Sequence, residues 1–71
     1  MRYAMVIEKV EGSGNHSAYL LDVPGCVVTG ASIEEVKRNM VEVLELHIEG
    51  LCDDGLPIPK PSYVDFIELA A

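Results

Sequence analysis

Ser32, with Glu35 three residues behind it, opens the one stretch of this chain with helical periodicity. The Ser32 hydroxyl can accept from the amide of Glu35, and the Glu35 carboxylate can reach back to the amide of Ser32. Such a capping box contributes about 0.5–2 kcal/mol at the serine alone. Downstream, Ile33, Val36, Met40, Val43, Leu44, Ile48 and Leu51 recur at spacings of three and four, with His47 in register, and make one apolar stripe. Gly55 supplies the left-handed residue that commonly ends a helix. Gly50 falls inside the pattern, at a cost of about 1 kcal/mol against alanine. Either the helix stops near Gly50 or the glycine allows close packing; the favoured expectation is a continuous helix to Asp54-Gly55. One helix with one apolar stripe covers only one face of a sheet, and that constrains the rest of the chain.

The remaining pattern is β-like. Tyr3 to Val10 is rich in apolar and β-branched residues and reads as a strand. Glu11 to His16 is a polar, glycine-containing hairpin loop, so His16 is expected to be solvated. Ser17 to Asp22 is a second strand. Val23-Pro24-Gly25 is a tight turn, with Pro24 fixing φ at its first central position and Gly25 taking the second. Cys26 to Thr29 makes a short third strand, and three strands so closely spaced form an antiparallel meander. After the helix, Pro57, Pro59 and Pro61 impose an extended, polyproline-like return path. Tyr63 to Leu69 then reads as a fourth strand, parallel to a neighbour in the same sheet. The predicted fold is α+β: a single β-β-β-α-β domain with the helix on one face. The uncovered face of four apolar strands predicts self-association, as a dimer or tetramer.

Size and charge exclude several functions. Seventy-one residues hold neither a doubly wound nucleotide-binding domain nor a TIM barrel. Twelve acids against five bases give a net charge of −7, which repels phosphate backbones and anionic membranes, so no direct nucleic-acid or membrane partner is expected. No apolar run approaches the roughly 20 residues of a membrane span, and the N-terminus lacks the apolar core of a signal peptide. The expectation is a soluble cytoplasmic protein.

Reactive constellations are sparse. His16 and His47 have no second histidine or cysteine at metal-binding spacing, and His47 reads as a half-buried helix residue. Cys26 and Cys52 read as buried small hydrophobes, since no base or positive charge stands beside Cys26 to activate it. Glu8, Asp22, Asp65 and Glu68 lie on separate predicted strands, but strand-face carboxylates are ordinarily solvated, so the reading is no metal, no cofactor and no catalytic set. Gly12-Ser13-Gly14 lacks the third glycine, the lysine and the following helix of a phosphate loop. The informative feature is the outer face of the helix. Between Glu34 and Asp54 there are seven acids and two bases, a net −5 of the total −7. Glu35, Glu42, Glu45 and Glu49 follow one another along one side and are the candidate partner-binding residues. Such a surface suits solubility or the steering of a basic protein partner.

Asp22-Val23-Pro24-Gly25-Cys26, then Gly30-Ala31-Ser32-Ile33-Glu34-Glu35, then the helix end Leu46 to Gly55 and Pro57-Ile58-Pro59-Lys60-Pro61-Ser62, together resemble the N-terminal domain of HicB-type antitoxins. The resemblance covers nearly the whole chain. Its structural signature is Pro24, Gly25, Cys26, Ser32, Gly55, Pro57 and Pro59. It departs at His16-Ser17-Ala18-Tyr19, where the family commonly enters the second strand through Gly-Gly-Tyr. The resemblance implies a partial ribonuclease H-like fold without the nuclease. It also implies a partner: HicA-type toxins, small basic mRNA-cleaving proteins. Many relatives carry a C-terminal DNA-binding segment; here the expectation is one domain over residues 1–71 with no such module. The expected function is therefore a non-catalytic antitoxin-like protein that binds and occludes a HicA-type toxin. The alternative is a stand-alone HicB-like homo-oligomer with a regulatory or scaffold role.

Overall fold

The computed structural model describes residues 1–70. Three strands, β1 (Met5–Lys9), β2 (His16–Leu20) and β3 (Val27–Gly30), precede a single helix, α1 (Ile33–Asp53). The sheet order is β1-β2-β3 and both pairings are antiparallel. The α+β meander and the helix on one face are as the sequence pattern predicts.

Alternation decides the two faces of the sheet. Met5 and Ile7 lie opposite Leu20 and Ala18, and Ala18 lies opposite Val28. These side chains turn to α1, which answers with Val36 and Met40; Ala18, Leu20, Val28, Val36 and Met40 form the buried core with Val23 and Cys26, and Met5 and Ile7 pack half-buried against it. Tyr3, Val43 and Leu44 pack around it. Val36 is fully buried because α1 comes very close to the end of β3. A Cβ on Gly30 would sit 3.1 Å from the Val36 amide nitrogen, so glycine is what lets the chain turn from strand to helix there.

Local chemistry sets the element ends. The Ser32 hydroxyl accepts from the Glu35 amide at 3.1 Å. Gly25 has φ +89°, and the Cys26 amide donates to the Val23 carbonyl at 3.4 Å, which gives a turn of type II character with Pro24 and Gly25 at its centre. At the far end of α1, Gly55 has φ +70°. Its amide donates to the Cys52 carbonyl at 3.1 Å and that of Leu56 to the Leu51 carbonyl at 2.9 Å, the paired bonds of a Schellman motif. The helix runs through Gly50, but the close packing expected there is absent, since nothing lies within 4 Å of a Cβ built on it.

The fourth strand is not formed. After Gly55 the chain carries no regular element up to residue 70. Pro57, Pro59 and Pro61 have no N–H to give to a ladder and keep the return path irregular, while Tyr63–Leu69, which has no proline, pairs with none of the three strands. Two contacts then tie the segment down: the Tyr3 hydroxyl donates to the Pro59 carbonyl, and Ser62 bonds to Asp22. Beyond Ser62 the chain leaves the body as an arm. Phe66 and Ile67 are 91 % and 98 % exposed. The radius of gyration is 14.1 Å, against about 11 Å for a compact chain of this length.

Two further expectations are corrected. His16 is not a solvated loop residue: it opens β2 and is half-buried, with its Nδ1 shielded and without a hydrogen-bond partner. Cys52 is not buried but exposed. It lies one residue, or about 100° of helical turn, past Leu51 on the stripe, which carries it to the outer side.

Candidate partner-binding surface

The outer face of α1 is built by helical spacing. Val36, Met40, Val43, Leu44, His47 and Leu51 are buried or half-buried. Glu42, Glu45 and Glu49, on the opposite side of the cylinder, are exposed. Glu35 lies at the margin of that face and is half-buried, because its amide is held at the Ser32 cap. Glu35 therefore stands somewhat apart from the other three candidate residues.

The helix ends add to the same polarity. Its last turn contains no basic residue, and Asp53 and the capping Asp54 stand there instead. A helix C-terminus already carries roughly half a negative charge from its aligned peptide dipoles. The acids extend that negative potential along the outer face. Exposed Leu46 and Val41 flank it, so the outer face is a charged stripe with apolar borders. Such a surface can attract and orient a basic protein.

The cysteines divide by environment. Cys26 is buried behind the Pro24-Gly25 turn, and burial pushes its thiol up from the ordinary value. Among the described residues, no group of three or more His, Cys, Asp or Glu side chains is placed to hold a metal ion. Asp22 is engaged elsewhere. Its Oδ1 accepts from the Ser62 hydroxyl at 2.6 Å and its Oδ2 from the Ser62 amide at 2.7 Å. The hydroxyl bond and then the amide bond hold its carboxyl below the usual carboxylate range. No helix among the described residues is long and apolar enough to cross a membrane.

The second notable surface is the uncovered sheet face that the sequence pattern marks as apolar; what the pattern did not show is the exposed arm beside it. The face of the sheet away from α1 carries Val6, Tyr19 and Val27 in one cross-strand row, with Tyr19 and Val27 exposed. The arm beyond Ser62 adds exposed Tyr63, Phe66, Ile67 and Leu69. A hollow between arm and body is lined by Arg2, Tyr3, Ala4, Ser62, Tyr63, Val64 and Phe66. The signal for these residues was their alternation, which marks them for burial without saying in which sheet.

Comparison with known proteins agrees with the family resemblance of the sequence. The family described as the HicB-like antitoxin of bacterial toxin–antitoxin systems matches residues 3–70. A protein of Haemophilus phage HP1, named as an uncharacterised 14.9 kDa protein of the rep-hol intergenic region, is 35 % identical over 94 % of this chain. The chain spans 56 % of that protein's length. A UPF0150 protein of Synechocystis is 34 % identical, with 87 % of this chain and 77 % of the relative aligned. A UPF0150 protein of Thermotoga maritima is 38 % identical, with 73 % and 69 % aligned. No solved structure matches.

Proposed function

The chain belongs to the HicB-like antitoxin family of bacterial toxin–antitoxin systems, and from that premise we propose that it is a non-catalytic cytoplasmic antitoxin that binds and occludes a small basic HicA-type mRNA-cleaving toxin. The observation that supports this reading is the exposed acidic face of α1, with Glu42, Glu45 and Glu49 opposite the buried stripe. An enzyme that cleaves RNA presents positive charge to a phosphate backbone. A negative helix face competes for that charge and covers the cleft behind it. Electrostatic complementarity of this kind raises association rates and selects partners more than it adds affinity.

The test begins with affinity capture by the tagged chain from its native lysate at low salt, followed by intact-mass analysis. A small basic partner released by raised salt is then assayed for mRNA cleavage with and without the chain. Suppressed cleavage supports the proposal; recovery of the chain's own subunits alone counts against it. Replacing Glu42 and Glu45 with lysine is expected to slow association about tenfold at low salt and to flatten its salt dependence. An unchanged rate removes α1 as the steering surface.

The exposed apolar arm favours a second reading, a stand-alone HicB-like homo-oligomer with a regulatory or scaffold role.

A further inference from the structure

We propose that residues 63–69 of each chain pair as a fourth strand along the β1 edge of a second copy, in a reciprocal two-fold exchange. The proposal deepens the homo-oligomer reading and leaves the toxin reading independent of it.

The free edge follows from hydrogen-bond parity. The Leu21 amide donates to the Ala4 carbonyl at 3.0 Å, and the Val10 amide to the Asn15 carbonyl at 2.8 Å. In an antiparallel pair such bonds fall on alternate residues. Ala4, Val6, Glu8 and Val10 therefore turn their peptide groups to β2, and Met5, Ile7 and Lys9 turn theirs outward to an open edge. The opposite edge is less available. There the Thr29 carbonyl already accepts from the Asn39 side chain at 2.9 Å, and α1 lies chiefly over β3. An uncovered edge strand is a ready template for another strand.

The arm has the composition of the missing strand. Tyr63, Ile67 and Leu69 alternate with Val64 and Phe66, so both of its faces are largely apolar. That pattern suits a strand buried on both sides. Seven extended residues reach about 23 Å, enough to run the whole of a five-residue strand of about 17 Å. Charge agrees in sign: the arm carries Asp65 and Glu68, while Arg2, Glu8 and Lys9 leave β1 and its approach at a net +1.

Surface area points to a second copy as the partner. The chain exposes 5664 Å², whereas a compact monomer of 7.7 kDa exposes about 4,300 Å². The excess is about 1,300 Å² per chain. Two exchanged arms remove up to twice that, more than the roughly 1,200–2,000 Å² total of a standard stable interface. The Ser62–Asp22 bonds hold the root of the arm to its own body, and Val64 keeps some cover there, while Phe66, Ile67 and Leu69 are almost wholly exposed. A two-fold axis makes each arm's donor also its acceptor, so the assembly closes.

Sedimentation equilibrium of the whole chain at micromolar concentration tests the proposal, beside Phe66→Asp/Ile67→Asp. Both residues are almost wholly exposed, so the variant's helical circular dichroism is expected to match the parent. The expected result is a two-chain mass for the parent and a one-chain mass for the variant. In a mixture of nitrogen-15 and carbon-13 labelled chains, isotope-filtered NOEs are expected between the arm of one chain and β1 of the other. A monomeric parent overturns both this proposal and the homo-oligomer reading. A dimeric variant, or a parent dimer without interchain arm–β1 NOEs, overturns the exchange and leaves another dimer surface in place.

Discussion

Replacing Gly50 with alanine is expected to stabilise the protein. Gly50 lies inside α1, three residues before its end at Asp53. Glycine in a helix interior costs about 0.8–1.0 kcal/mol against alanine, because the unfolded chain loses more backbone freedom. An added methyl group is penalised only if it collides, and here it meets nothing within 4 Å. The full propensity difference is therefore available, about 1 kcal/mol. In a domain this small that raises the melting temperature by about 4–8 °C. Gly55→Ala is the matched opposite. Its φ of +70° places an L side chain in the left-handed region, at about 1–2 kcal/mol, so the melting temperature falls. Thermal melts followed by circular dichroism decide the matter, at one fixed concentration because association makes the midpoint concentration-dependent. A Gly50→Ala midpoint at or below the parent's would refute the reasoning. It would mean that the helix does not continue through residue 50, or that another surface covers it in solution.

Two other expectations rest on single side chains. Asp22 has its folded-state pKa lowered by the Ser62 bonds, so the arm's attachment is fully present above the ordinary carboxylate value of 3.8 and is lost as pH falls through the lower folded value. The Ser62 amide resonance should titrate with a midpoint below 3.8; a midpoint at or above that value removes the contact from the solution structure. Cys52 is exposed and Cys26 buried with a raised pKa, so brief treatment with a thiol reagent should add one adduct per native chain and two after unfolding. Two adducts on the native chain would show that the Pro24-Gly25 turn does not shield Cys26.

What was legible in the sequence was local. Ser32, the Pro24-Gly25 pair and Gly55 act through bonds spanning three to five residues, and each required conformation is written in the residue itself. The acidic outer face of α1 was legible for the same reason, since a fixed helical step places Glu42, Glu45 and Glu49 together once the helix exists. Cys52 was misjudged because a small sulfur side chain suits a core in general. Its angle from Leu51 decides burial, and that angle was already in the sequence. His16 was misjudged because a loop rich in glycine hides the start of a strand. The hairpin closes one residue earlier than the polar run suggests, with Val10 bonded to Asn15.

The fourth strand is a failure of a different kind. The alternation over Tyr63–Leu69 identifies residues that need a sheet, and the near-complete exposure of Tyr63, Phe66, Ile67 and Leu69 in the single chain is consistent with that need. Periodicity carries no information about which molecule supplies the sheet, because backbone hydrogen bonds are identical within and between copies. Two features bear on that choice. Three prolines stiffen the approach to the arm, and the Asp22 anchor fixes where it departs. A flexible, unanchored approach would let the segment fold back on its own β1. A stiff, anchored one holds its start beside residues 2–4 and leaves Phe66, Ile67 and Leu69 exposed, and the open β1 edge of a second copy offers them the pairing that the sequence pattern calls for.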